Sequence, residues 1–174
     1  MLVTGAPGVG KTTVLIKTVN SLKYNGISVG GMVSQEVRKG GVRVGFEIVD
    51  LSDEKRGWLS HVNQANGPQV GKYRVNMADL EEIGAKAVLK AVDKCRVVAI
   101  DEIGPMELFS QAFKQSVQIA FGSGKPMLVV VHAKAKDHLI REAKQREDSE
   151  TFTVTSANRE FLPETLRKQI VSLL

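Results

Sequence analysis

The chain opens Met1-Leu2-Val3-Thr4-Gly5-Ala6-Pro7-Gly8-Val9-Gly10-Lys11-Thr12-Thr13, and Gly5 to Thr12 fit GxxxxGK[ST] at every fixed position. Met1 to Thr4 read as a short strand, Gly5 to Gly10 as a glycine-rich turn, and Lys11 to about Tyr24 as a helix. Val14, Leu15, Val19 and Leu22 recur along one face of that helix, and Asn25-Gly26 closes it. Strand, glycine turn and helix in that order give the pattern its chemical meaning. Glycines let the backbone N–H groups of Gly5, Ala6, Gly8, Val9 and Gly10 curl round phosphate oxygens, with Pro7 shaping the turn. Lys11 brings a cation to the same oxygens and Thr12 offers a hydroxyl to Mg²⁺. The helix N-terminus adds its partial positive charge. Thr13 suits either an α-phosphate contact or an ordinary first-turn position.

Outward from this loop, Ile27 to Arg38 and Val42 to Leu51 are β-leaning runs around Lys39-Gly40-Gly41, a hairpin signature. Short strands are expected near Trp58 to Val62 and Lys72 to Asn76, then a helix over Met77 to Asp93. Arg96 to Ile100 is an apolar strand that ends on Asp101-Glu102. After Gly104-Pro105 the pattern predicts a helix from about Glu107 to Phe121 and a strand from Pro126 to Val131, apolar enough to be buried on both faces. A charged helix over Asp137 to Gln145, a strand over Thr151 to Thr155 and a helix over Leu162 to Leu174 complete the chain. Strands alternating with helices predict an α/β fold of three layers: a mostly parallel sheet, an inserted antiparallel hairpin and a short helical lid, in one domain spanning residues 1–174. Ligands in such sheets sit at strand C-terminal ends.

The acidic strand end belongs to the same edge. Asp101 is placed to hold Mg²⁺ and Glu102 to polarise a water attacking a γ-phosphate. Two adjacent acids tilt the reading toward hydrolysis, while a kinase acting on a small molecule or a nucleotide stays open as the alternative. An arginine from the same chain can stabilise the loose transition state of phosphoryl transfer. The segment Lys134 to Arg146 holds five cationic side chains against two acids. It is read as a lid with Arg146, then Arg141, as the catalytic arginine, or else as a solvated helix. Asn158-Arg159 follows the last strand and suits a base or ribose contact, or, for Asn158, a simple turn. Arg38, Arg43 and Arg56 fit a solvated hairpin better than a phosphate clamp. Glu107 suits either a helix N-terminus or a part in placing water. Trp58 and Phe46 read as packing.

Composition bounds the rest. Of 174 residues, 43% are hydrophobic and 25% charged, which suits an ordinary globular chain and excludes collagen-like and disordered classes. No apolar run is long enough for a membrane span and no signal segment opens the chain, so a cytoplasmic protein is expected. One cysteine, Cys95, and three scattered histidines, His61, His132 and His138, make no zinc set. A net charge of +5 favours a phosphate-bearing partner. Aromatics are only 5% and no basic stripe interleaves with them, so nucleic acid is possible but not favoured.

Gly5 to Thr13, Gly40-Gly41-x-Arg43-x-Gly45-Phe46, Asp101-Glu102-Ile103-Gly104-Pro105-Met106-Glu107-Leu108-Phe109 and Thr155-x-x-Asn158-Arg159 occur here in one order. Together they resemble the small stand-alone P-loop nucleoside-triphosphatases of archaea and thermophilic bacteria, whose vertebrate members are called cancer-related nucleoside-triphosphatase. The resemblance implies a P-loop sheet with an inserted hairpin, Mg²⁺ dependence and slow hydrolysis of ATP, GTP, CTP and UTP. It also implies nucleotide contacts at Gly5 to Thr12 and along Val97, Val98, Ala99, Ile100, Asp101, Glu102, Ile103 and Gly104. The first four of that second set are expected to be core side chains. Related chains carry a few more residues before the loop, so the first strand is expected to be short.

Overall fold

The structure is a computed structural model that describes residues 1–174. Nine strands form one sheet: β1 (Leu2–Gly5), β2 (Val29–Lys39), β3 (Val42–Asp50), β4 (Arg56–His61), β5 (Gln69–Val70), β6 (Tyr73–Val75), β7 (Val97–Ile103), β8 (Met127–Val131) and β9 (Thr151–Val154). Their order is β5-β6-β4-β3-β2-β7-β8-β1-β9. From β2 to β9 every pairing is parallel, and from β2 outward to β5 every pairing is antiparallel. The expected hairpin is thus the root of a larger antiparallel wing, extended by β4, β6 and the two-residue β5, which is too short to show a period in sequence.

Helices cover both faces. On one lie α1 (Lys11–Tyr24) and α6 (Leu162–Ser172), and their core is built on Val14, Leu15, Val19, Leu22, Leu166 and Ile170. Each such side chain, fully buried, contributes roughly 1.5–3 kcal/mol. The other face carries α2 (Met77–Asp79), a π-helical segment Leu80–Ala85, α3 (Lys86–Lys94), α4 (Gln111–Phe121) and α5 (His138–Gln145). The continuous helix expected over Met77 to Asp93 is therefore widened at its middle. Leu80, Ile83, Gly84 and Ala85 are all buried there, and a Cβ on Gly84 would lie 2.6 Å from Ile48 Cδ1.

Two helix starts confirm local rules. Ser110 and Asp137 sit at N-caps and their side chains accept the amides of Phe113 and Leu139. The helix expected from Glu107 divides at Ser110 into a 3₁₀ turn, Glu107–Phe109, and α4. No helix is long and apolar enough to cross a membrane. Because the five parallel strands share one direction, the ends of β1, β7, β8 and β9 meet at one edge, and this edge carries the loop and both acids.

Candidate active site

The phosphate loop is open where an anion must enter. Gly10 is the N-cap of α1 with φ 109 and makes no side-chain cap, a backbone state that a side chain would strain. Within the loop Val9 N donates to Ala6 O at 3.3 Å, and the first helical bond runs from Val14 N to Gly10 O at 2.9 Å. The amides of Gly8 and of Gly10 to Thr13 point to no protein acceptor, which leaves a nest of donors on a helix N-terminus. The Lys11 ammonium folds back over the loop and donates to the carbonyls of Gly5 (3.3 Å) and Ala6 (3.4 Å). Ala6, Pro7, Gly8 and Thr13 are exposed, and Lys11 and Thr12 are half-buried.

β7 delivers the acids deeper than a strand end in solvent would. Val97, Val98, Ala99 and Ile100 are completely buried, as is Ile103. These side chains are core on both faces of a parallel strand and closed to a ligand, which leaves Asp101, Glu102 and the Gly104 backbone as the part of this segment at the site edge. Asp101 is 1% exposed and its Oδ2 has no hydrogen-bond partner. Burial pushes its carboxyl from 3.8 up to about 7; Thr12 pulls it back, the neighbouring Glu102 charge adds to the rise, and Lys11 opposes it. Glu102, across a cis peptide bond, stays partly open. Burial raises its pKa too, against the pull of Lys11 and His132. The chain has no cluster of three His, Cys, Asp or Glu side chains able to hold a metal ion. A cation at this edge would draw on Thr12, the orphaned Asp101 oxygen and ligands brought by a nucleotide and water.

Glu107 joins this group from behind. It is 4% exposed and its Oε2 accepts the Gly104 amide at 3.2 Å. A Cβ on Gly104 would meet Glu102 Oε1 at 2.9 Å and Glu107 Oε2 at 3.2 Å, so both carboxyl groups pack in the space that this glycine leaves. Burial, helped by the charges of Glu102 and Asp101, pushes Glu107 from 4.5 up to about 8.

Other predicted residues separate. Asn158 holds its own turn: its Oδ1 accepts Thr155 N at 2.8 Å and its Nδ2 donates to Thr153 O at 2.9 Å, which engages one of its two N–H donors and one oxygen lone pair. Arg159 does reach the loop, with Cδ 3.8 Å from where a Cβ on Gly10 would stand. With Thr13 and Lys17 it lines a groove of about 90 Å³. Glu160 braces it, accepting from Lys17 at 2.9 Å and lying 3.5 Å from Arg159 Nε.

Arg146 is not at the site. α5 runs back from the end of β8, so its last turn returns to the opposite edge, where strands begin. There Arg146 pairs with Asp148 at 2.7 Å, lies 5.6 Å from the Phe121 ring centroid, and lines a cavity with Met1 and Met127. Arg141 stands exposed midway along α5. Arg38 and Arg43 pair with Glu36, and Arg56 with Glu47, as a solvated hairpin requires. Trp58 packs edge-on against His61, and Phe46 against Tyr73. His132, counted in the sequence only as a scattered histidine, lies at the end of β8 within electrostatic reach of Glu102. Only strand order could have placed it there.

A glycine nest on a helix start, beside an apolar strand that ends in paired acids, defines a P-loop nucleotide-binding protein. The profile of a family described as NTPase matches residues 1–167. Nucleoside-triphosphatase THEP1 of Thermofilum pendens is 46% identical, over 99% of this chain and 96% of that protein. The protein of the same name from Methanosarcina acetivorans is also 46% identical, over 99% and 97%. Among solved structures, the human cancer-related nucleoside triphosphatase superposes with a TM-score of 0.84 at 36% identity, covering 99% of this chain and 97% of that one. THEP1 from Aquifex aeolicus superposes with a TM-score of 0.85 at 27% identity, covering 98% of each. The chain belongs to the NTPase family.

Proposed function

We propose that this chain, acting as one domain over residues 1–174, is a Mg²⁺-dependent phosphohydrolase that converts nucleoside 5'-triphosphates to diphosphate and phosphate. The observation that carries the reading is the buried, unpartnered Asp101 Oδ2 beside Thr12, with partly open Glu102 adjacent to it. A buried carboxylate oxygen without a partner is costly unless a cation completes it. Thr12 and Asp101 would hold Mg²⁺, which when bound neutralises charge on the phosphate oxygens.

The remaining roles belong to the chain's own groups. The free amides of the loop bind the β- and γ-phosphate oxygens, and Lys11 leaves its two carbonyls to pair with them. Glu102 accepts a proton from a water as the water oxygen bonds to phosphorus. The bond from phosphorus to the bridging oxygen breaks, and the diphosphate leaves with that electron pair. The partial burial that raises the Glu102 pKa makes it a stronger base than a solvated glutamate. Arg159 lies over the groove beside Thr13 and meets the base through its flat face and not through a base-specific edge. ATP, GTP, CTP and UTP are then all substrates.

Phosphate release from ATP and Mg²⁺ with no added acceptor tests this reading. Lys11→Ala should lower the rate by about 10²–10³-fold. ADP formation that requires an added hydroxyl acceptor, with the phosphoryl group recovered on that acceptor, would instead make the protein a kinase.

A further inference from the structure

Three strands frame the reacting edge, and the middle one supplies nothing to the mechanism above. β8 lies between β7 and β1. Its end is tied on both sides. The Thr4 hydroxyl of β1 donates to Val131 O at 3.2 Å, and the His132 amide donates to Ile103 O of β7 at 3.1 Å. His132 is therefore held in the gap between the phosphate loop, which leaves β1 at Gly5, and the Asp101-Glu102 pair.

Its ring is oriented as well as placed. Nδ1 accepts the amides of Lys134 (3.3 Å) and Ala135 (3.1 Å). A ring nitrogen that receives amide protons carries the lone pair, so the ring proton sits on Nε2. No protein acceptor takes that Nε2–H, and the ring is only half-buried. A fixed donor without a partner, at the edge proposed to bind phosphate, is suited to a phosphate oxygen that bears charge in the transition state.

We propose that His132 is a catalytic residue: its Nε2–H donates to a γ-phosphate oxygen and stabilises the charge spread over the equatorial oxygens of the transition state. The inference rests on the hydrolase reading. It gives the middle strand a function and supplies the donor that was sought in Arg146. The imidazole forms no covalent bond to phosphorus and gives up no proton, since its role is a hydrogen bond that strengthens in the transition state.

Two variants separate this role from a structural one. His132→Asn keeps an acceptor near the Nδ1 position but lacks the distal donor, whereas His132→Gln carries an N–H near the Nε2 position. His132→Asn is expected to melt close to the wild type and to bind ADP with wild-type affinity. Its kcat should fall about 10²-fold, and its affinity for ADP with Mg²⁺ and aluminium fluoride should fall to a similar degree. His132→Gln should recover about tenfold of that loss. Unchanged turnover in His132→Asn overturns the proposal, and so does an equal fall in both variants accompanied by a lower melting temperature. If the wild type releases no phosphate, the hydrolase reading and this inference fall together. If the wild type is active and His132→Asn matches it, only this inference falls.

Discussion

At the scale of single residues, the site concentrates acid in a place water barely reaches. Asp101 and Glu107 are both almost fully buried, and both are held well above the ordinary carboxylate range. For Glu107 the cause is first burial and then the charges of Glu102 and Asp101. Its folded state binds a proton more tightly than the unfolded chain does. The stability it contributes is therefore complete below its ordinary 4.5 and is lost as pH rises through about 8. Glu107→Gln retains an acceptor for the Gly104 amide and removes the titration. Melting temperatures of the nucleotide-free protein in chelator, between about pH 6 and about pH 9, should fall less steeply in this variant than in the wild type. Parallel curves would show that the buried acid does not titrate in this range. Asp101 has the same sign, but a bound cation would reverse it by favouring the ionised form, so Mg²⁺ should stabilise the wild type more at high pH than at low.

At the scale of elements, β2 and β7 are locked by a contact that allows no side chain. Gly31 has φ +112, and a Cβ there would lie within bonding range of the Ala99 carbonyl. Gly31→Ala should destabilise the protein by about 3 kcal/mol or more, read as a lower denaturation midpoint. It should also disturb phosphate release, because Ala99 lies two residues before Asp101 on the strand that carries the acids. The fate of α5 gives the opposite expectation. Its end returns Arg146 to the far edge of the sheet, so Arg146→Ala should leave kcat within about twofold of wild type; a large loss would require α5 to rearrange over the site.

These elements also show what a linear reading can and cannot reach. α1 was legible to its ends, because a glycine turn starts it, Asn25-Gly26 stops it and four apolar side chains share one face. Val97 to Ile100 were legible as core, since only a strand buried on both faces is apolar without alternation. The π-helical widening at Leu80 was not, because Gly84 there packs closely on Ile48 of β3, a contact distant in sequence. Nor were the positions of Arg146 and His132. Both follow from the direction and order of strands, which local spacing does not encode. Asn158 had two readings in sequence, and the hydrogen bonds of its turn show the structural one.

At the scale of the whole molecule, the excess positive charge is distributed and not massed. Arg38, Arg43, Arg56, Arg146 and Arg167 are paired with acids at the surface. Such exposed pairs contribute little to stability. Lys11 faces only carbonyls beside the free amides, which directs the charge of the loop toward a phosphate chain. On the proposed reading base selection has less to work with, since Arg159 offers the base a flat cation. The ratio of kcat/KM among ATP, GTP, CTP and UTP should stay within about tenfold, below the roughly 10⁴-fold of a site built to hydrogen-bond one group. A single strongly preferred base would show that a base edge is read by groups other than these.

On the proposed mechanism, Glu102 turns a bound triphosphate into a hydrolysed one without being needed to bind it. Equilibrium binding of ATP with Mg²⁺ and acceptor-free phosphate release, measured on one preparation of Glu102→Gln, test it directly. The predicted result is wild-type affinity within a few fold, with phosphate release reduced by about 10²–10⁴-fold. Wild-type turnover, or a loss of affinity as large as the loss of turnover, would contradict it.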